Sequence, residues 1–166
     1  KREVRSSNGA PCVSGGEIFV TGPSDNGNCA LDYNGDAQIT GGTIVAVGMS
    51  GMAQNFGSSS TQGSILSNTA TNTSGEVVLK DSNGNVLVSF TQTLEYNSVV
   101  VSTHDVKKGS TYRLTTGDSS TTIEMSDIIY GESTQGGAPN GGGQGGPNGG
   151  GQAPNGNMGG GFGNRP

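Results

Sequence analysis

The chain repeats itself. Asn8-Gly9-Ala10-Pro11-Cys12-Val13-Ser14-Gly15-Gly16-Glu17-Ile18-Phe19-Val20-Thr21-Gly22 aligns without a gap on Asn34-Gly35-Asp36-Ala37-Gln38-Ile39-Thr40-Gly41-Gly42-Thr43-Ile44-Val45-Ala46-Val47-Gly48, always 26 positions apart. The Asn, the Gly after it, the Gly-Gly pair, one Ile and the closing Gly are identical, and Val13/Ile39, Ser14/Thr40 and Phe19/Val45 are conservative. A period of this size with glycine at each corner predicts stacked coils of a parallel β-solenoid. One coil alone cannot bury its apolar residues. Two coils about 4.8 Å apart set Ile18 on Ile44 and Val13 on Ile39, and so begin a continuous interior. Asn8 over Asn34 would form a short amide ladder at a turn. Gly15-Gly16 and Gly41-Gly42 permit corner angles that a Cβ penalises. The competing reading is two similar hairpins in a sandwich, and the gapless register over 15 positions favours the solenoid.

Two coils are too few, because about three are needed for a stable stack. Either coils precede this piece or another element caps it. Residues 49–62 read as a polar connection. Strands are expected at Ser64–Ser67, Glu76–Asp81, Val86–Thr91, Ser98–Thr103 and Thr111–Thr115, with Thr121–Tyr130 as a last one. Ser82-Asn83-Gly84-Asn85 is a strong hairpin signal, and Lys107-Lys108-Gly109-Ser110 is a second turn. This half reads as antiparallel and is expected to hide unpaired strand edges of the solenoid. Residues 1–62 are thus expected to form β-helix coils at the C-terminal end of a longer solenoid. Residues 63–131 form an antiparallel β cap in this reading, and 132–166 a disordered Gly-rich tail.

Composition agrees with an all-β class. Of 32 Gly in 166 residues, 15 fall in 136–166, a segment with no Val, Ile or Leu. It repeats Pro-Asn-Gly at Pro139, Pro147 and Pro154 and reads as a hydrated tether. The remaining 1–135 has room for one domain. It lacks the Ala/Leu/Glu/Lys runs of a helical bundle. It carries 13 acidic against 7 basic residues, −6 overall, which speaks against nucleic acid and anionic membranes. Lys1, Arg2 and Arg5 make a terminal basic cluster that reads as solvated. No stretch approaches ~18 apolar residues, so no transmembrane segment is expected. The first residue is Lys1 rather than Met, which reads as a mature or truncated piece. Cys12 and Cys29 either pair in an oxidising compartment or are two small buried residues, and with a single distant His they do not make a zinc site.

Several strings are similar to those of bacterial, chiefly clostridial, carbohydrate-binding domain-containing proteins. They are Asn28-Cys29-Ala30-Leu31-Asp32-Tyr33-Asn34-Gly35, Gly42-Thr43-Ile44-Val45-Ala46-Val47-Gly48, Ser50-Gly51-Met52-Ala53-Gln54, Val99-Val100-Val101-Ser102 and Lys108-Gly109-Ser110-Thr111-Tyr112. The resemblance covers roughly residues 12–116. It implies a right-handed parallel β-helix, bound calcium, and a secreted or cell-surface protein that binds cellulose and acidic plant polysaccharide such as pectin or polygalacturonate. The chain resembles only the C-terminal part, because the family carries a longer run of coils before this point. Cys12, Cys29 and His104 are not part of the pattern.

The residues themselves offer a place for a cation. Asp25, Asn26, Asn28, Asp32, Asn34 and Asp36 crowd into twelve positions. Calcium takes six to eight oxygen ligands, which Asp, Asn and turn carbonyls supply. Asp32-Tyr33-Asn34-Gly35-Asp36 opens like an EF-hand loop but fails at Ala37 and Thr43. Asp32 and Asp36 are the best carboxylates, Asp25 the third, and Asn34 a further oxygen donor. The alternative is ordinary turn residues bonding to their own backbone. With no Trp and four scattered Tyr, a stacking platform for sugar is not expected. Tyr33, beside the acidic loop, is the aromatic chosen for sugar contact, and calcium would bridge protein carboxylates to uronate carboxylates. Enzyme readings are weak. Ser102-Thr103-His104-Asp105 is no triad by adjacency, and Glu17 has Thr43 rather than an acid at the equivalent position, which leaves glycoside hydrolysis without its second carboxylate. The expected function is extracellular, non-catalytic polysaccharide binding, probed against a structural or adhesive spacer and, as a minor reading, a polysaccharide lyase or hydrolase.

Overall fold

The two repeats become two neighbouring parallel strands, β1 (Cys12–Thr21) and β2 (Gln38–Gly48). Cys12 faces Gln38, Val13 faces Ile39, and Glu17 to Thr21 face Thr43 to Val47 in order, so the offset of 26 is the hydrogen-bonding register. One irregularity interrupts it, at Ser14, which pairs with Gly41. There the upper strand presses on the lower. A Cβ on Gly41 would stand 2.7 Å from the Ser14 carbonyl oxygen. The computed structural model describes residues 11–25, 27–33 and 35–133. The expected Asn8–Asn34 ladder and residues 134–166 of the expected tail lie outside the described residues. The unit Lys1–Gly136 contains everything described.

Beyond β2 the chain builds β3 (Ser64–Asp81), β4 (Val86–Ser102), β5 (Thr111–Thr116), β6 (Ser119–Glu124) and β7 (Ile129–Tyr130), with one 3-10 turn at Ser50–Met52. The strands form a single open mixed sheet in the order β1-β2-β4-β3-β5-β6, with β7 on β3. The class is all-β, as expected. A parallel β-helix is not what this sheet forms as a whole: among the described residues only β1–β2 and β3–β7 are parallel. The reason lies at β4. It pairs antiparallel with β2 through Ile44↔Ser102 and Val47↔Val99, and antiparallel with β3 through Ser64↔Ser102 and Ser67↔Val99. The start of β3 therefore runs in the direction of β2 but one strand further out. β4 occupies the place where a third stacked rung would pair. The second half thus pairs with the edge of β2 and joins the same sheet across position 62.

The hairpin signal is realised. Residues 82–85 join β3 to β4, with Gly84 at φ 88° and its N–H donating to the Asp81 carbonyl at 3.0 Å. Other expected boundaries shift. Ser64–Ser67 and Glu76–Asp81 are the two ends of one strand, and Val86–Thr91 and Ser98–Thr103 the ends of its partner. The polar residues between them, Asn68–Thr73 against Tyr96–Ser98, carry register slips rather than turns. Thr121–Tyr130 is not one strand, since β6 ends at Glu124 and β7 is separate.

Long strands that pass through a slip can serve two layers. Val45, Val47, Ile65, Val99 and Val101 pack with Val77, Leu79, Tyr96, Leu114 and Ile123 in one core. The opposite face of the same strands, through Ile44, Ala46, Leu66 and Val100, packs under Leu31, Tyr33, Ala37, Ala53 and Phe56. Each fully buried branched side chain contributes about 1.5–3 kcal/mol. The stretch 49–62 is therefore more than a polar connection. It supplies Ala53 and Phe56 to the second core and buries Gln54, Asn55, Ser60 and Gln62. Their polar atoms are satisfied. Gln62 Nε2, for one, donates to the Gly42 carbonyl at 2.9 Å and to Ser102 Oγ at 2.8 Å.

Candidate functional site

The acidic loop does not gather its carboxylates. Asp25, Asp32 and Asp36 are all exposed, and Asn34 lies outside the described residues. Asp25 Oδ1 accepts the Gly27 N–H at 3.0 Å, and Asn28 Oδ1 accepts the Cys29 N–H at 2.9 Å. The first is a turn closed by its own side chain, and the second reaches only the next residue. Asp36 Oδ2 accepts the Ser59 hydroxyl. Among the described residues no three His, Cys, Asp or Glu side chains come together as metal ligands.

Tyr33 is placed by this loop and packs inward. It is buried at 9% exposure. Its N–H donates to Gln54 Oε1 at 2.9 Å, Gln54 Nε2 donates back to its carbonyl at 3.1 Å, and its hydroxyl donates to the Asn55 carbonyl. Burial, with Asp36 and then Cys29 nearby, pushes its pKa up to about 12. The hydroxyl clips the 49–62 segment to the second core, and Tyr33, chosen above as the sugar contact, also lines a small hollow with Pro11, Leu31 and Phe56. Its neighbours in sequence explain this: Leu31, Tyr33 and Ala37 alternate inward while Asp32 and Asp36 point out. The cysteines match neither expectation whole. Both are free, Cys12 exposed on β1 and Cys29 buried. The Cys29 thiol donates to the Leu31 carbonyl, and burial pushes its pKa up to about 11.

The constellation that sequence reading missed lies at the hairpin end of β3. The outward face there alternates with the core face. Leu79 and Leu114 point in, and Lys80 and Arg113 lie directly opposite each other on the other face, with Thr122 of β6 next in the row. Together with Ser82 and Gly84 of the hairpin and Thr111 of β5 they line an open cleft of about 480 Å³. Tyr112 forms part of its wall but turns its hydroxyl inward, donating to the Asp105 carbonyl at 2.6 Å. Asp81 is the one carboxylate lining the cleft among the described residues. It is committed to the hairpin: Oδ1 accepts the N–H groups of Asn83 and Asn85, both at 2.9 Å, and Oδ2 accepts Asn85 Nδ2 at 2.8 Å. The Asn85 amide, helped by the backbone N–H groups, holds its pKa below the usual value. Neither Lys80 nor Arg113 has an ion pair among the described residues. A signal was available, since each cation sits at an outward position of an expected strand. The β3–β5 pairing that joins them was not readable from local sequence.

In the Ser102–Asp105 string the serine and the histidine have different surroundings. Ser102 is fully buried and its hydroxyl donates to the Gly63 carbonyl at 2.6 Å. His104 is exposed, its Nε2 3.1 Å from Asp105 Oδ2. No helix among the described residues is long and apolar enough to cross a membrane. Compared with known proteins, the chain matches no protein-family model, no curated protein and no solved structure.

Proposed function

We propose that this chain is an extracellular, non-catalytic polysaccharide-binding protein whose contact surface is the cleft between the Ser82–Asn85 hairpin and strands β5 and β6. The single observation that carries the reading is the cleft's lining. Hydroxyls of Ser82, Thr111 and Thr122 and the cations Lys80 and Arg113 converge from three strands and a turn on one open trough. A sugar polymer is dense in hydroxyls, and an open surface lined with hydrogen-bonding groups lets its chain run through. Glycoside hydrolysis uses two carboxylates across the scissile bond, and the one that lines this cleft is bonded into a turn. That favours holding a glycan over cutting it. The resemblance of residues 12–116 to bacterial carbohydrate-binding proteins points the same way, and with it the secreted or cell-surface location.

The finer fold belongs to the same proposal: β1 and β2 are the last rungs of a longer parallel stack. Two features support it. Gly15 has no positive φ and no neighbour within 4 Å of a Cβ built on it, whereas its equivalent Gly41 is forced by the strand above. A glycine at 15 is accounted for by a further backbone packing there. Val13 and Ile18 are only partly buried, while Ile39 and Ile44 beneath them are closed off. Calcium is the part of the proposal that rests on the sequence of the acidic loop and on the resemblance. Its check is thermal melting: a rise in Tm with millimolar calcium, reversed by chelator, supports it, and an unmoved Tm removes it.

The test of function is retention of the full chain on cellulose and on a polygalacturonate gel, with and without calcium, against the bare matrix. Retention on either polysaccharide is expected. Passage through both without delay overturns the reading and leaves a structural or adhesive spacer.

A further inference from the structure

We propose that β7 and Asn55 form a mechanical anchor, which keeps this unit folded when the chain is pulled through residues 134–166. The anchor is independent of the cleft and of what the cleft binds.

Five strand segments lie side by side, and one row crosses them all. Ile18 of β1 pairs with Ile44 of β2, Ile44 with Ser102 of β4, Ser102 with Ser64 of β3, and Ser64 with Ile129 of β7. β1, β2, the start of β3 and β7 run one way, and the end of β4 runs the other. The chain therefore enters β1 at Cys12, before the row, and leaves β7 toward Ser133, beyond it. Tension on the two ends draws β1 and β7 in opposite directions along their own axes. Each ladder between them is sheared, with its hydrogen bonds lying across the line of force and sharing the load. A hairpin pulled open from its ends parts one bond at a time instead.

The ladders differ in length. Eight positions join β1 to β2, and five join β2 to β4. β3 and β7 share only two, Ser64↔Ile129 and Ile65↔Tyr130. So short a strand near a chain end frays unless something ties it down. The ties converge on this weakest ladder. Asn55 is buried at 4% exposure. Its Nδ2 donates to the Tyr130 carbonyl at 2.8 Å and the Gly131 carbonyl at 3.2 Å, and its backbone N–H donates to Ser133 Oγ at 2.9 Å. Its Oδ1 accepts the Ser64 hydroxyl at 2.6 Å. One side chain thus bridges both strands of the two-residue ladder. Gly131 closes on β3 as well, since a Cβ there would stand 2.1 Å from the Leu66 carbonyl oxygen. Ile129 packs against one core and Tyr130 against the other. Covering the edge of β3 needs no bond beyond Tyr130. The bonds to Gly131 and Ser133 continue past the pairing, to the point where residues 134–166 begin to pull.

Single-molecule stretching of the full chain at constant force tests this, because forced unfolding reads the unfolding rate. Handles at residues 1 and 166 send the force across β7. Asn55→Ala should shorten the folded lifetime at least tenfold, equivalent to about 1.4 kcal/mol. Ser133→Ala, an exposed change that leaves both cores intact, should shorten it about threefold. It carries the test alone if Asn55→Ala does not fold. Asp81→Ala, which weakens the hairpin off the line of force, should leave the lifetime unchanged. A second geometry moves the C-terminal handle to residue 83, through Asn83→Cys in a Cys12→Ser background, and bypasses β7. There the effect of Ser133→Ala should vanish and that of Asn55→Ala should fall. Equal shortening in the two geometries would make both residues general stabilisers and overturn the anchor. Parent-like lifetimes for Ser133→Ala and Asn55→Ala in the terminal pull overturn it too. So does a shortening by Asp81→Ala as large as that by Asn55→Ala.

Discussion

Gly42 lies against the backbone of Gly15 and Gly16. A Cβ on Gly42 would come within 2.7 Å of the Gly15 carbonyl carbon and of the Gly16 oxygen, and Gly42 is held at φ 90°. Two rungs of the repeat approach so closely here that only hydrogen fits between them. Gly42→Ala combines a strained left-handed backbone with a clash that neither backbone can relieve, and should cost about 2–3 kcal/mol. Gly15→Ala in residues 1–166 alone, where no described atom lies within 4 Å of its Cβ and φ is not positive, should stay within ~0.5 kcal/mol. Urea unfolding of the two variants checks the contrast, and equal losses would show that the rungs do not stack in this register.

Tyr33 clips the 49–62 segment through its hydroxyl. Tyr33→Phe leaves the buried Asn55 carbonyl without its partner and should cost about 1–2 kcal/mol, with polysaccharide retention unchanged. The folded pKa is raised from 10.0 to about 12, so the contribution is complete below pH 10 and disappears as the pH climbs through about 12. Alkaline melting curves should therefore separate parent from Tyr33→Phe at neutral pH and bring them together at the alkaline end. A loss of glycan retention in folded Tyr33→Phe would restore the ring to the binding surface.

The thiols should react one at a time. Cys12 is exposed and Cys29 buried. The Cys29 pKa is raised from 9.0 to about 11, chiefly by burial and then by Asp32. A thiol reagent at pH 8 should label one site at once in the native protein and the second only on unfolding. No labelling before reduction would mean that the two cysteines are joined. The stability held by the neutral Cys29 thiol is present below pH 9.0 and is lost as the pH rises through about 11.

Asp81 organises the hairpin that forms one wall of the cleft. Asp81→Ala removes three acceptor bonds and should lower Tm by a few degrees. Its pKa is depressed from 3.8, so its contribution is present above that value and is lost as the pH falls through the lower folded value. The Tm difference between parent and variant should shrink on acidification below pH 3.8. A constant difference down to pH 2 would show that the carboxylate's charge does not hold the turn.

The repeat made the β1–β2 register legible, because an offset of 26 is a statement about which residues pair. The Ser82–Asn85 hairpin was legible because Asn-Gly dictates its own turn. The insertion of β4 between β2 and β3 was not. It depends on Val99–Ser102 reaching two different strands at once, and a run of Val reads alike on an edge or in the middle of a sheet. The same limit hid the candidate site. Lys80 and Arg113 are 33 residues apart in the sequence, and only the non-local β3–β5 pairing makes them neighbours. The acidic loop, by contrast, was conspicuous because it is local. Its carboxylates turned out to face solvent or close turns, while Tyr33 between them turned inward.

Amide chemical shifts of the labelled full chain, followed during titration with galacturonic acid oligomers, test the location and the class of ligand together. Saturable shifts centred on Lys80, Ser82, Thr111, Arg113 and Thr122 are predicted, with the Asp25–Asp36 loop unmoved in the absence of calcium. No shift at saturating oligomer, or shifts confined to that loop, would contradict polysaccharide binding at the cleft.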